Sequence, residues 1–141
     1  MDQDKRARDC AEMMFANDRA SKSLGMSIDI PNPGVAVTSM ELTDTMMNGF
    51  DVCHGGFIFS LADSAFAFAC NAYDDVTLAA AASVEFLRPA RVGDVLTATA
   101  REVSRGRRAG VYDVEVRNQD DKLVAVFRGR SAALGEPILD R

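Results

Sequence analysis

A single carboxylate interrupts the most apolar stretch of the chain. Between Phe57 and Cys70 the only polar side chains are Ser60, Asp63 and Ser64, and His54-Gly55-Gly56 introduces the run. An ionised carboxylate within hydrogen-bond reach of a water can orient that water or take its proton. Unpaired N–H groups where a helix begins, here around Gly55 and Gly56, can hold an oxygen that is gaining negative charge, and the helix dipole adds to the effect. Glycine there lets a ligand come close to the backbone. The helical neighbours of Asp63 at three and four residues' distance are Ser60, Phe59, Phe66 and Ala67, none of them a cation. Aspartate is almost never fully buried unless paired. Its side chain therefore either faces a cleft or meets a partner from elsewhere.

The elements that must position these groups follow from pattern. His54–Tyr73 reads as one helix, apolar on almost every side, which is the mark of a core helix or a membrane span. A span needs roughly 20 apolar residues, and this run is shorter with a carboxylate at its middle, so it is read as the core. Residues 3–22 pattern as an amphipathic helix, with Ala7, Cys10, Ala11, Met14 and Phe15 at helical spacing. Met26–Ile30 alternates only weakly before the Pro31–Gly34 turn, and Val35–Leu42 alternates as a half-buried strand does. Thr43–Cys53 has no period and is expected as a loop. After the helix, Val76–Leu87, Val95–Val103, Val111–Arg117 and Lys122–Ser131 read as four strands in a meander, with Ala79–Ala82 small enough for a helix to lie close. The last ten residues look like a tail. The expectation is an α+β protein in which an antiparallel sheet of about five strands wraps one long central helix, with an N-terminal helix beside it, as one domain over residues 1–141. Val35, Val37, Val124 and Val126 alternate onto the other side of the sheet, which argues for a partner subunit.

Composition narrows the class of partner. The 141 residues carry a net charge of −5, with 48% hydrophobic and 26% charged residues, as an ordinary globular protein does. The acidic balance argues against nucleic acid. Met1 is followed by DQDKRARD and no apolar leader, and the three cysteines form no CxxC pair, so free thiols in a reducing cytoplasm are expected. With one histidine no zinc-ligand set can be assembled, and no metal site is expected. No Lys or Arg occurs from Ser23 to Leu87, whereas Arg105, Arg107 and Arg108 bunch in one hairpin. That bunch is either a phosphate-binding patch or a solvated turn.

The run NGFDVCHGGFIFSLADSAFAFACN, Asn48–Asn71, resembles the hot-dog-fold acyl-CoA thioesterases of bacterial phenylacetate degradation. The likeness continues through FLRP (Phe86–Pro89), GDVLTATA (Gly93–Ala100), GVYDVEV (Gly110–Val116) and VAVFRGRS (Val124–Ser131). The resemblance implies a hot-dog fold and hydrolysis of phenylacetyl-CoA or a related aryl-CoA or acyl-CoA, with Asp63 activating water and the Gly55 amide polarising the thioester carbonyl. It also implies that Asn48 and His54 help hold the site, that coenzyme A is part of the substrate and that no cofactor is needed. His54 could instead be a simple helix cap, and Asn48 a turn residue before Gly49. Ser64 could donate to water or substrate, or bond its own i−4 carbonyl. Cys53, adjacent to the only histidine, is not expected to be a nucleophile.

Gly55 and Asp63 are eight residues apart, about 12 Å along one helix. Both groups must sit within about 3 Å of the reacting atoms. Two antiparallel copies satisfy this, so a homodimer with shared active sites is expected, and the resemblance adds a dimer of dimers, that is, a homotetramer. Gly56 also belongs to the substrate-binding group. The coenzyme A phosphates would fall to Arg105, Arg107 and Arg108, with Arg88 and Arg128 behind them. Met46, Met47, Phe57 and Phe66 are expected to line the acyl pocket. The rival readings are a dehydratase or hydratase on the same fold using His54 and Asp63 as acid and base, and a non-catalytic acyl-CoA-binding protein. Neither a membrane nor a nucleic acid is expected as a partner.

Overall fold

The structure is a computed structural model and describes residues 2–140. Two short helices open the chain, α1 (Gln3–Ala16) and α2 (Arg19–Ser23). Residues 3–22 are thus not one helix. The break comes where Asn17 closes the first segment and the Asp18 carboxylate, accepting from the Ser21 N–H, starts the second. Strands β1 (Ser27–Asn32) and β2 (Val35–Glu41) follow, joined at Gly34, whose φ of +82° suits glycine. A 3₁₀ turn and a loop lead to α3 (Gly55–Cys70), and then come β3 (Thr77–Phe86), β4 (Val95–Arg105), β5 (Ala109–Arg117) and β6 (Leu123–Ala133).

All six strands form one sheet in the order β1-β2-β4-β5-β6-β3, every pair antiparallel. The architecture is the expected hot-dog arrangement, with two differences. The weakly alternating segment before Pro31 is a sixth strand at the edge. Only β4, β5 and β6 form a meander, because residues 87–94 carry the chain from β3 past its neighbours to pair β4 with β2.

Helix α3 lies on the inner face because that face is carved to receive it. Ala36, Ala98 and Ala100 point inward with no exposed surface, leaving room for Leu61, Ala62 and Ala65. The Thr38 hydroxyl donates to the Leu61 carbonyl at 3.0 Å. Gly129 serves the same end: a Cβ there would lie 2.8 Å from the Phe66 ring, which packs on Tyr112 and Phe127. Ala79–Ala82, expected beneath a helix, are exposed instead on β3, the outermost strand. The outer face of the sheet is not the apolar surface anticipated. Val35, Val37 and Val126 are only half-buried, and between them runs the cross-strand row Arg101, Asp113 and Arg128, with Val124 fully buried. Among the described residues no helix is long and apolar enough to cross a membrane.

Candidate active site

The start of α3 is built by side chains that hold the chain still. Asn48 Oδ1 accepts from the Phe50 N–H at 2.9 Å and the Val52 N–H at 3.3 Å, closing a tight loop with Asp51 at φ +59°. The His54 N–H donates to the Met46 carbonyl and fixes where the helix begins. His54 is the N-cap: its Nδ1 accepts from the Gly56 N–H at 3.1 Å, and its carbonyl accepts from Phe57. The first turn of a helix leaves its N–H groups without intrahelical partners. With Gly56 and Phe57 served by His54, the Gly55 N–H is left without an acceptor, among the described residues. The Phe86 ring sits directly over Gly55, where a Cβ would come within 2.9 Å of it.

Two turns further along, Asp63 is half-buried and opens onto a cavity of about 510 Å³. Met14 of α1, Phe66 and Cys70 of α3, Leu78 of β3 and Ile138 of the C-terminal segment contribute to its walls. No hydrogen bond or ion pair engages the Asp63 carboxylate among the described residues, and burial raises its pKa above the ordinary aspartate value. An unpartnered carboxylate at the edge of an apolar space is suited to take a proton from water. The larger concavity of the molecule, about 680 Å³, lies on the outer sheet face among Arg101, Asp113, Arg117 and Arg128. It holds no helix start.

The remaining sequence candidates divide. Gly55 and Asp63 lie on one helix but at separate places, as their spacing requires. Ser64 turns away from the cavity; its hydroxyl is 2.8 Å from that of Ser21, which donates to Asp18. It does not bond its own i−4 carbonyl and ties α3 to α2 instead. Arg105 lies over the Tyr73 ring at 3.6 Å. Arg107 and Arg108 line a second cavity of about 480 Å³ with Asp75, Ala133, Leu134 and Gly135, at the far end of α3. Arg88 follows Phe86 at the opposite end and is exposed. Arg128 is held on the outer face by two hydrogen bonds to Asp113, at 2.6 and 2.8 Å. The arginines do not form one patch within a chain. Of the expected pocket residues only Phe66 borders the Asp63 cavity, since Met46 and Phe57 line a separate hollow near Ser23–Gly25. The thiols of Cys53 and Cys70 are pushed up to about 11 and about 12 by burial, so neither is a ready nucleophile at neutral pH.

Sequence reasoning missed the C-terminal wall. The Asp74 carboxylate accepts from the Ile138 and Leu139 N–H groups, each at 2.8 Å, and Asp75 accepts from Gly135 and Glu136. The adjacent acids after α3 were its only signal.

The sequence pattern of the thioesterase superfamily matches residues 50–125. The chain is 48% identical over 128 residues to the acyl-coenzyme A thioesterase PaaI of Escherichia coli, covering 91% of each. A solved structure of the E. coli PaaI protein from the phenylacetic acid degradation operon superposes with a TM-score of 0.94 at 45% identity, over 96% of this chain and 99% of that one. A Streptococcus mutans protein solved bound to acetyl-CoA is 26% identical with a TM-score of 0.76, over 79% of this chain and 90% of its own.

Proposed function

The chain belongs to the thioesterase superfamily, and from that premise we propose that it hydrolyses acyl-CoA thioesters, phenylacetyl-CoA or a related aryl-CoA or acyl-CoA among them, to the free acid and coenzyme A. The observation that carries this reading is a pair of unsatisfied polar groups on one apolar helix: the Asp63 carboxylate facing an apolar cavity, and the Gly55 N–H at the helix start. Asp63 takes a proton from water as the oxygen attacks the thioester carbonyl carbon. The carbonyl oxygen becomes an oxyanion and is received by the Gly55 N–H. When the carbon–sulfur bond breaks, the thiolate leaves and recovers a proton from Asp63. His54 positions the amide end through its cap, and Asn48 does so through the loop it closes.

Because the two groups are about 12 Å apart on the helix, one substrate needs them from two chains. The edge strand supports that arrangement. The Asp63 cavity is bordered by Leu78 and Ala79 near the start of β3, and Gly55 lies beneath Phe86 at its end. Antiparallel pairing of two β3 edges around Ala82 would bring the start of one beside the end of the other, and Asp63 toward Gly55 of the partner subunit. It would also bring Arg88 of the partner subunit toward Arg107 and Arg108, for the coenzyme A phosphates. Arg105, committed to Tyr73, is the weakest of that set. The same reading includes a dimer of dimers and, from three buried unpaired cysteines, a cytoplasmic location. Thiol release from phenylacetyl-CoA and a panel of other acyl-CoA esters tests the activity. Turnover with free coenzyme A as product is expected, and no turnover on any ester would overturn it.

A further inference from the structure

The cavity beside Asp63 is closed on one side by parts of the chain outside the stretch that the family pattern matches. Met13 and Met14 come from α1, and Ile138 comes from the C-terminal segment, while the pattern spans residues 50–125. We propose that these two terminal segments determine which acyl group the enzyme accepts, with Met13 and Ile138 setting the depth of the space into which that group extends from the reacting carbon. This rests on the thioesterase reading above.

Asp63 is the only unpaired charged group on the cavity wall, and the other polar wall residues are otherwise engaged. Asn71 donates to the Ala67 and Thr77 carbonyls and accepts from the Thr77 N–H, and Asn17 donates to the Met13 carbonyl. A water on Asp63 reaches the carbonyl carbon only if that carbon lies beside the carboxylate. The substituent on it then enters the adjoining apolar space, with the pantetheine arm leaving toward the arginines proposed above for the phosphates. A space of about 510 Å³ admits an aromatic ring with its methylene. The walls are also adaptable. Met13 and Met14 are unbranched and polarisable, which suits a wall that moulds to a ligand. Ile138, only 4% exposed, is held by backbone bonds to Asp74 and not by strand pairing. Met13 is half-buried and lines the cavity without joining the central cluster, whereas Met14 also packs on that cluster. A larger side chain at position 13 therefore fills the cavity with little cost to the fold.

The experiment compares kcat/KM for phenylacetyl-CoA and acetyl-CoA in the wild type, Met13→Trp and Ile138→Ala. Met13→Trp is expected to lower the phenylacetyl-to-acetyl ratio by about tenfold or more, since a methylene or two of misfit in an apolar pocket has that scale. Ile138→Ala, which opens the same space, removes apolar contact with the ring and is expected to lower the same ratio by about tenfold, while a melting curve reports that the variant folds. Wild-type ratios in both variants would overturn the proposal, and if Met13→Trp does not fold, the Ile138→Ala ratio decides alone. A wild-type protein inert toward both esters would contradict the hydrolytic reading instead, and the two failures are thus distinct.

Discussion

The two edges of the sheet are built on opposite plans. Strand β1 is short, carries Asp29 and Pro31, shifts register between Asp29 and Asn32, and lies beside α1. These are the usual devices by which a sheet edge avoids further pairing. Strand β3 has ten residues, is exposed from Leu78 to Ser83, and carries no charge before Glu85. Leu78, Phe86 and Leu87 beside it are more than half exposed. Nothing among the described residues covers it. An edge left long and apolar next to a helix with two unsatisfied polar groups is the edge that the proposed pairing of two copies would use.

The largest effect should come from breaking that difference. A lysine at Ala82 would bring two like charges together where two β3 strands pair, so Ala82→Lys should yield a monomer with no measurable hydrolysis. Ser27→Lys on β1 should leave both mass and rate unchanged. Light scattering alongside a thiol-release assay reads both, and equal behaviour of the two variants would remove the distinction.

Next in size is the proposed catalytic carboxylate, Asp63. Asp63→Asn should lower kcat by on the order of a hundredfold or more, the scale of losing a general base. Its effect on stability should run the other way. Burial raises the carboxyl's pKa in the folded state, so the folded protein holds that proton more tightly than the unfolded chain. Stability from this group therefore falls as pH rises from the unfolded value through the folded one, and the ionised form at neutral pH is a cost to the fold. Asp63→Asn should melt at or above the wild-type temperature at pH 7. For the same reason the acid limb of kcat/KM should lie above the ordinary aspartate range, with the rate falling as pH drops through it.

Two glycines give a smaller contrast. Gly129→Ala drives a methyl into the Phe66 ring within the packed core and should destabilise by about 1–3 kcal/mol in denaturant titration. Gly55→Ala meets only the half-exposed Phe86, which can move, so stability should hold while activity declines. The least effect belongs to Arg128→Ala on the outer face. Its bond to Asp113 is solvent-exposed, and neither rate nor melting temperature should change appreciably.

The local half of this account was legible in the sequence. Asp63 stood out because nothing within a helical turn could neutralise it, and the alternation in Val111–Arg117 marked the strand that buries Tyr112, Val114 and Val116. What the sequence hid was long-range. Ser27–Asn32 reads poorly as a strand because Pro31 and Asn32 are the residues that blunt an edge. The placement of β3 beside β6 depends on the path of residues 87–94, which no periodicity records. Ser64 found its partner 43 residues away in Ser21, and Asp74 found its partners more than 60 residues away, at Ile138 and Leu139. The alanines of β3 were legible as small but not as exposed, since smallness suits equally a surface against a helix and one against another chain.

The central claim is that each site joins the carboxylate of one chain to the amide of another. Gly55→Pro removes the amide donor yet suits the first position of a helix, and His54 already has the extended ψ of 131° that a following proline requires. Alone, Gly55→Pro and Asp63→Asn chains should each be nearly inactive. After unfolding and refolding together in equal amounts, mixed dimers carry one intact site, and activity should return to about a quarter of wild type. A mixture no more active than its separate components would place both groups in one chain's site and contradict the account.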